Sequence, residues 1–318
     1  MTQELMKFLL TYDIGNDKYY PKMYYGDIFH YTSPEGMKSI IREKGINIVF
    51  WASRMDCLND KSEGKTAVNV YQQVCKELLE ADEISEGIYC QIKDLQPSEL
   101  MLCLDEEKKE CIKQNYSQFV VSFSKDSDSL AMWNYYCKNG KYEGFNIGVS
   151  NYQYAELVNR ENLSNKTRFE IVQVIYDRQK QKSMISNFVK DILEKCESQD
   201  LPNACIWIES MLRKWSNIFK EKYFEHEKEV RVVIDVPYEI KNRRREYAQK
   251  IEYRYANGFL IPYIELNISK KDLLCIKFGP MNCEDEKKQE QVKVLEDFLV
   301  SRRCWRVGAD YSHINIRY

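Results

Sequence analysis

Residues 229–236, with the sequence EVRVVIDV, give the strongest indication of how this chain folds. In a β-strand, successive side chains point to opposite faces. One face of this stretch carries only branched apolar side chains, namely those of Val230, Val232, Ile234 and Val236. Such a face is typical of a strand that packs on a hydrophobic core. The stretch therefore predicts a β-sheet with one apolar face at this strand.

Strand and helix patterns surround this stretch on both sides. Short runs rich in β-branched and aromatic residues predict further strands at residues 27–31, 46–52, 119–123, 144–149, 169–176, 259–266, 274–278 and 312–318. Apolar residues at helical spacing predict helices at residues 34–44, 66–81, 129–137, 184–196, 203–223 and 284–302. Residues 82–115 are rich in acidic side chains, and we interpret them as largely helical.

These elements lack the regular alternation of strand and helix that accompanies a parallel sheet. We therefore predict a single α+β domain over residues 1–318, with a mixed or antiparallel sheet as its core. Helical insertions are expected at about residues 66–117 and 180–225.

The composition limits the classes of partner. The chain has 47 basic and 49 acidic side chains and a formal net charge of −2, which argues against a broad nucleic-acid-binding surface. No apolar run is long enough for a transmembrane helix, and the first residues lack the pattern of a signal peptide. The eleven cysteines include no C-x-x-C pair, as expected for reduced thiols. We therefore expect a cytoplasmic protein without a membrane partner.

The usual motifs of nucleotide and metal chemistry are absent from the sequence. No glycine pattern matches a Rossmann or P-loop site, and neither H-E-x-x-H nor G-x-S-x-G occurs. The three histidines are too few for a His-rich metal centre, so no metal ligand is assigned. A site in this chain is expected to use hydroxyls, carboxylates and at most one histidine.

Polar side chains stand out in two of the predicted strands. His30 lies in the segment FHYTS, where it is either a satisfied core histidine or a hydrogen-bonding partner for a ligand hydroxyl. Ser122 and Ser124 close the strand FVVSF and project from one face. Serines at a strand end either bond their own backbone or face a site.

A third polar group precedes and begins the strand EVRVVIDV. Glu227, Glu229 and Arg231 share the face opposite the valines. On a solvated face, a Glu–Arg pair contributes little. In a cleft, two close carboxylates repel, and Arg231 would help to keep one of them ionised.

The chain resembles a bacterial family known as domain of unknown function 2971. The matching pieces follow the order of that family and cover nearly the whole chain: FHYTS (29–33), LNDKSE (58–63), VSFSKDSDSLAMWNYY (121–136), GFNIGV (144–149), EKEVRVV (227–233), IKFGP (276–280) and INIRY (314–318). Lys61 departs from the pattern, because proline is expected after Asn-Asp. The family implies no settled activity.

A second resemblance suggests a reaction. ADP-ribosyltransferases bind NAD without a Rossmann fold, and use a His or Arg on an early strand, a Ser-x-Ser or Tyr on a middle strand and a late Glu, often as Glu-x-Glu. This chain is similar in the same order, with His30, Ser122-Phe-Ser124 and Glu227-Lys-Glu229. The resemblance implies an ADP-ribosyltransferase-like sheet core and an enzyme that takes NAD as a substrate.

The resemblance also implies catalytic roles. Breaking the nicotinamide–ribose bond builds positive charge on the ribose, and Glu229 would stabilise that charge while bonding a ribose hydroxyl. Glu227 would activate the acceptor, which is a protein or a nucleic acid. Ser124 would order the catalytic site, and Arg231 would hold a carboxylate ionised beside the bound NAD.

Further residues are expected to bind NAD. His30 would hold the second ribose, with Tyr31 beside it, and Ser122 would order the site. Trp133 or Tyr136 would stack on the nicotinamide ring. An enzyme of this kind would serve as a bacterial toxin or a phage-defence effector.

Two alternatives of other classes stay open. One is a nuclease-like enzyme that holds Mg²⁺ with Asp60, Glu63, Glu227 and Glu229. The other is a non-catalytic sensor or partner-binding protein that docks a protein partner, or a second copy of itself, on the helices of residues 184–223.

Overall fold

A single large sheet organises the part of the chain that the computed structural model describes, which comprises residues 17–58, 64–105, 110–137, 142–150, 167–256, 258–281 and 283–315. Its strands are β1 (Ile28–Thr32), β2 (Asn47–Arg54), β3 (Leu100–Asp105), β4 (Glu110–Ser124), β5 (Phe145–Val149), β6 (Arg168–Gln173), β7 (Glu229–Lys241), β8 (Arg244–Tyr247), β9 (Glu252–Ala256), β10 (Phe259–Ser269), β11 (Leu273–Phe278) and β12 (Gly308–Tyr311). The α-helices are α1 (Pro34–Ile40), α2 (Lys65–Glu80), α3 (Glu86–Ile92), α4 (Leu130–Tyr136), α5 (Arg178–Glu194), α6 (Leu201–Ser216) and α7 (Asp285–Ser301).

The pairing of β4 with β7 forms the middle of the sheet. The two strands run antiparallel through ten consecutive residue pairs, from Asn115↔Tyr238 to Ser124↔Glu229. The alternation predicted for β7 is confirmed, since its branched apolar side chains are all buried in one cluster on one face: Val230, Val232, Ile234 and Val236. This pairing also sets which polar residues of the two strands face each other.

Helices cover both faces of the sheet. The face that carries Ile234 packs on α1 and α7, through residues such as Met37 and Leu295. The other face packs, through Val120 and Val233, on a layer that includes α2, α5 and α6. The layer that includes α2, α5 and α6 leaves part of this sheet face uncovered beside β1 and β2, where polar residues meet.

The sheet divides along one edge of β4. β2 pairs with that edge through Ser53↔Val120, whereas β1 pairs with it through Phe29↔Ser124. Between these two contacts, no described strand pairs with residues 121–123 on this edge. The result is a notch in the sheet, which exposes groups from both of its faces to the same space.

The predicted fold class is confirmed at its coarser level. The described residues form a mixed α+β structure with a mostly antiparallel sheet, in which β11 and β12 are a parallel pair. The predicted helices at residues 66–81 and 284–302 correspond to α2 and α7.

The prediction of a helical segment up to residue 117 is wrong for its last third. Residues 100–105 and 110–117 lie in β3 and β4, which form a hairpin registered from Leu100↔Asn115 to Asp105↔Glu110. Short apolar runs such as LMLCL do not distinguish a strand from a buried helix, and the acidic residues nearby favoured the helical interpretation. The antiparallel pairing of residues 100–105 with β4 makes this segment a strand.

Smaller errors concern element ends. The strand predicted to end at residue 236 continues to Lys241, and the helix predicted to reach residue 223 ends at Ser216. The last strand lies at Gly308–Tyr311 rather than at 312–318, of which residues 316–318 lie outside the described residues. In the described part of the chain, no helix combines the length and the apolar character needed to cross a membrane.

The sandwiched position of β7 predicts a large difference between two isoleucines of the same strand. Ile234 is fully buried and Ile240 is 66% exposed. We expect Ile234→Ala to lower the free energy of unfolding by about 2–5 kcal/mol, because it leaves a cavity. The matched control Ile240→Ala should change it by less than about 0.5 kcal/mol. Urea unfolding followed by circular dichroism measures both, and equal effects would contradict this packing.

Candidate functional site

A cleft of about 510 Å³ lies at the notch between β1 and β2. Volumes of this size are typical of small-molecule sites. Its walls come from β1, β2, β4, α4, β9 and the segment before β7, and they combine aromatic with charged side chains. The residues that line it are Phe29, His30, Tyr31, Trp51, Ser53, Leu58, Val120, Val121, Ser122, Phe123, Met132, Tyr136, Lys220, Phe224, Glu227, Glu229 and Arg254.

His30 fills the gap in the sheet. Its Nδ1 lies 3.0 Å from the carbonyl oxygen of Ser122, which belongs to the edge of β4 without a strand neighbour. A carbonyl only accepts, so Nδ1 carries the proton of this bond and Nε2 of the neutral ring is an acceptor. Burial lowers the pKa of His30, and the bond to Ser122 offsets part of that effect. The ring also packs edge-on against Phe50 and Phe123, which fixes its orientation.

An acid pair with two bases forms the opposite wall. Glu229 is 3% exposed and accepts two hydrogen bonds from Arg231, with Nε at 2.7 Å from Oε1 and Nη2 at 3.2 Å from Oε2. The Nζ of Lys220 lies 2.8 Å from Oε2 of Glu229 and 2.9 Å from Oε2 of Glu227. Lys220 therefore bridges the two carboxylates, and the four formal charges cancel.

The network keeps its acid and its base charged. Burial alone would raise the pKa of Glu229, but the positive charges of Arg231 and Lys220 outweigh it and lower that pKa to about 2. Burial would lower the pKa of Lys220, but Glu229 and Glu227 raise it above its usual value. At neutral pH, Glu229 is therefore ionised, which suits a role through its charge rather than through proton transfer.

Backbone geometry holds the acid pair in place. Lys228, between the two glutamates, adopts a left-handed conformation with φ of +45°, which turns the chain from the 3₁₀ helix Lys222–Glu227 into β7. The hydroxyl of Ser124 donates to the carbonyl of Glu227 at 2.7 Å and accepts from the amide of Asp126. The amide of Glu229 donates to the hydroxyl of Tyr176. The two carboxylates are thus positioned from behind the cleft wall.

Most of the predicted site residues come together in this cleft. It is lined by His30, Tyr31, Ser122, Tyr136, Glu227 and Glu229, which come from four separate chain segments. The hydroxyl of Tyr31 donates to the carbonyl of Asp126 at 2.8 Å, so this residue also supports the loop after β4. Tyr136 is 43% exposed at the cleft mouth.

Three predicted residues lie behind the wall instead. Ser124 is fully buried, and both bonds of its hydroxyl are to backbone groups. Trp133 is fully buried, where its indole packs on Tyr31 at 4.8 Å and donates to Asp128. Arg231 is 1% exposed, and it donates to the Glu229 carboxylate from behind and to the Asn217 carbonyl. We therefore reassign Ser124 and Arg231 as residues that position Glu227 and Glu229 from behind the wall. Of the two rings predicted to stack on nicotinamide, Tyr136 lines the cleft and Trp133 does not.

Sequence reasoning did not assign Lys220, Arg254, Trp51 or Ser53 to a site, although all four line the cleft. Lys220 fell within a predicted helix, although the helix ends four residues earlier. Arg254 lies on β9, a strand that no pattern indicated. Trp51 and Ser53 lie in or next to a predicted strand, where both were taken as part of the sheet. The position of Lys220 close before the Glu-x-Glu segment was the one usable signal.

The nuclease alternative requires a group of side chains that binds a metal ion. Over the residues that the structure describes, no group of three or more His, Cys, Asp and Glu side chains could hold a metal ion. Asp60 and Glu63, which the nuclease alternative needs, lie outside the described residues.

Comparison with known families gives one match. Residues 132–232 match the family described as "Protein of unknown function (DUF2971)". This match confirms the predicted family resemblance over a segment that includes most of α4 and the acid pair. Comparisons with curated proteins and with solved structures give no match.

The low pKa of Glu229 predicts how stability depends on pH. A carboxyl whose pKa falls on folding stabilises the protein above its unfolded pKa, and that contribution is lost as the pH falls toward the folded pKa. For Glu229 the loss should run from about pH 4.5 to about pH 2 and amount to roughly 3 kcal/mol.

Urea unfolding between pH 3 and pH 6 measures the upper part of this loss. Glu229→Gln should be less stable than the wild type at pH 6 and should lose less stability on acidification. The control Glu225→Gln removes an exposed carboxylate of the preceding turn and should follow the wild type. An unchanged pH slope in Glu229→Gln would contradict the charge network.

Proposed function

We propose that the protein is an NAD-dependent ADP-ribosyltransferase-like enzyme and that the cleft at the notch is its active site. The observation that carries the proposal is the meeting of His30, Ser122, Glu227 and Glu229 in one cleft. We also propose that the sheet around the notch has the fold of an ADP-ribosyltransferase-like core.

Bond cleavage would rely on the charge of Glu229. When the bond between the ribose carbon and the nicotinamide nitrogen breaks, its electron pair leaves with nicotinamide and positive charge develops on the ribose. A fixed carboxylate stabilises that charge more in the transition state than in the ground state. A pKa of about 2 suits this role, because Glu229 then stays ionised at neutral pH.

The ammonium group of Lys220 occupies a position at which the cleft stabilises a positive charge. Its ammonium group contacts both carboxylates and also lies 5.1 Å from the centre of the Phe224 ring. In the proposed reaction, the cationic ribose takes over part of the interaction that Lys220 makes with the acid pair. Glu227 accepts the proton of the attacking group as the new bond to the ribose forms.

His30 and the aromatic walls would orient the substrate. The Nε2 of His30 is an acceptor for a ribose hydroxyl, and Ser122 fixes the ring through its carbonyl. Tyr136, which is 43% exposed at the cleft mouth, would stack on nicotinamide. The acceptor of the ADP-ribose would be a protein or a nucleic acid, and the proposed role is that of a toxin or phage-defence effector.

Nicotinamide release from NAD tests the proposal. The wild type should release nicotinamide, and Glu229→Gln should release it about 10²- to 10³-fold more slowly, because the transition state loses its charge partner. The control Glu225→Gln should keep full activity. Chromatographic quantification of nicotinamide with excess enzyme measures single-turnover rates, with folding of each variant checked by circular dichroism.

The outcomes also separate the alternatives. A wild type that consumes no NAD in the presence of protein or nucleic-acid acceptors contradicts the proposal. Nucleic-acid cleavage that stops on chelation of Mg²⁺ would favour the nuclease, and a stable complex without either activity would favour the binding protein.

A further inference from the structure

Arg254 is a cleft cation without a partner of opposite charge in the described part of the chain. Its Nη2 donates to Oγ of Ser53 at 2.9 Å, and its Nε is buried without an acceptor. Lys220, the other cation that lines the cleft, is held by two carboxylates. A partly buried guanidinium with no carboxylate retains a positive charge that a ligand can neutralise.

Trp51 adds a second unsatisfied donor next to it. Its indole lies 5.8 Å from the Arg254 guanidinium and 4.8 Å from the ring of Tyr263, and its Nε1 has no hydrogen-bond partner among the described residues. Buried donors are nearly always satisfied in folded proteins, and these two lie in the wall of one cleft, where an acceptor from a bound ligand would satisfy them. A positive charge beside N–H donors selects an anion.

The strand order explains why this charge stays separate from the acid pair. Arg254 on β9 reaches across β10 to Ser53 on β2, which pairs with Val120 of β4. Glu229 pairs with Ser124, four residues farther along β4, or about 13 Å. The cleft therefore has an acidic end and a basic end, which suits an elongated ligand that is anionic at one end.

We propose that Arg254, with Ser53 and Trp51, forms an anion subsite that binds the phosphate groups of a nucleotide. Identifying these phosphates as the diphosphate of NAD rests on the proposed function, whereas the anion subsite does not. The ligand would extend along β4, with its diphosphate near Ser53 and its reacting ribose near Glu229.

Calorimetric titration of three probes tests the subsite. ADP-ribose and inorganic pyrophosphate carry the anion, and adenosine does not. We expect Arg254→Gln to weaken ADP-ribose and pyrophosphate binding at least tenfold and to change adenosine affinity by less than twofold. Arg254→Lys should retain part of the affinity, because it keeps the charge and loses the planar fork. The control Arg244→Gln removes an exposed arginine of β8 and should bind like the wild type.

The wild type alone also gives a decisive result if Arg254→Gln does not fold. Pyrophosphate should then compete with ADP-ribose, and raising the salt concentration should weaken both. No binding of either anion to the wild type, or unchanged affinity in a folded Arg254→Gln, overturns the subsite.

The two proposals fail separately. Anion binding that depends on Arg254 without any nicotinamide release would leave the subsite standing and reject the transferase. NAD turnover with an unchanged KM in Arg254→Gln would support the transferase and reject the anion subsite.

Discussion

The antiparallel pairing of β4 with β7 is the constraint on which the rest of the site depends. Directly opposed residues of an antiparallel pair share a face, so Ser122 lies beside Arg231 and Ser124 beside Glu229. The same register leaves the far edge of β4 to be shared between β1 and β2. The cleft is therefore a consequence of how strands divide along β4, and not of a loop laid over a finished sheet.

Burying four ionisable groups at this place has a cost that the fold must offset. Desolvation of a carboxylate and a guanidinium costs several kcal/mol per ion, and only close hydrogen-bonded geometry recovers it. Glu229 and Arg231 achieve this with two bonds, and Lys220 extends the network to Glu227 at the cleft surface. Replacing a buried ion pair by well-packed apolar residues often costs no stability, so a use of its charge explains this network better than a contribution to stability does.

Sequence reasoning reached the strands and the polar residues on them but not the cleft as a whole. Alternation along β7 is a local property, so the buried face of Val230 and Ile234 was readable from the letters. Ser124 looked like a catalytic hydroxyl because the alternation along a strand shows which face a side chain is on, but not how deeply it is buried. The Glu227 carbonyl that accepts its hydrogen bond is 103 residues away in the sequence. Arg254 joins the site only because β9 pairs with β10 and β10 with β2. Such non-local pairings leave no mark in a single sequence.

We propose that one extended ligand bridges the acidic and basic ends of the cleft. A crystal structure of the protein with ADP-ribose tests it most directly. We expect the terminal ribose within hydrogen-bond distance of Glu227 or Glu229, a ribose hydroxyl on Nε2 of His30 and the diphosphate on Arg254. Density for the ligand outside the notch, or a cleft that stays empty at saturating ligand, would contradict it.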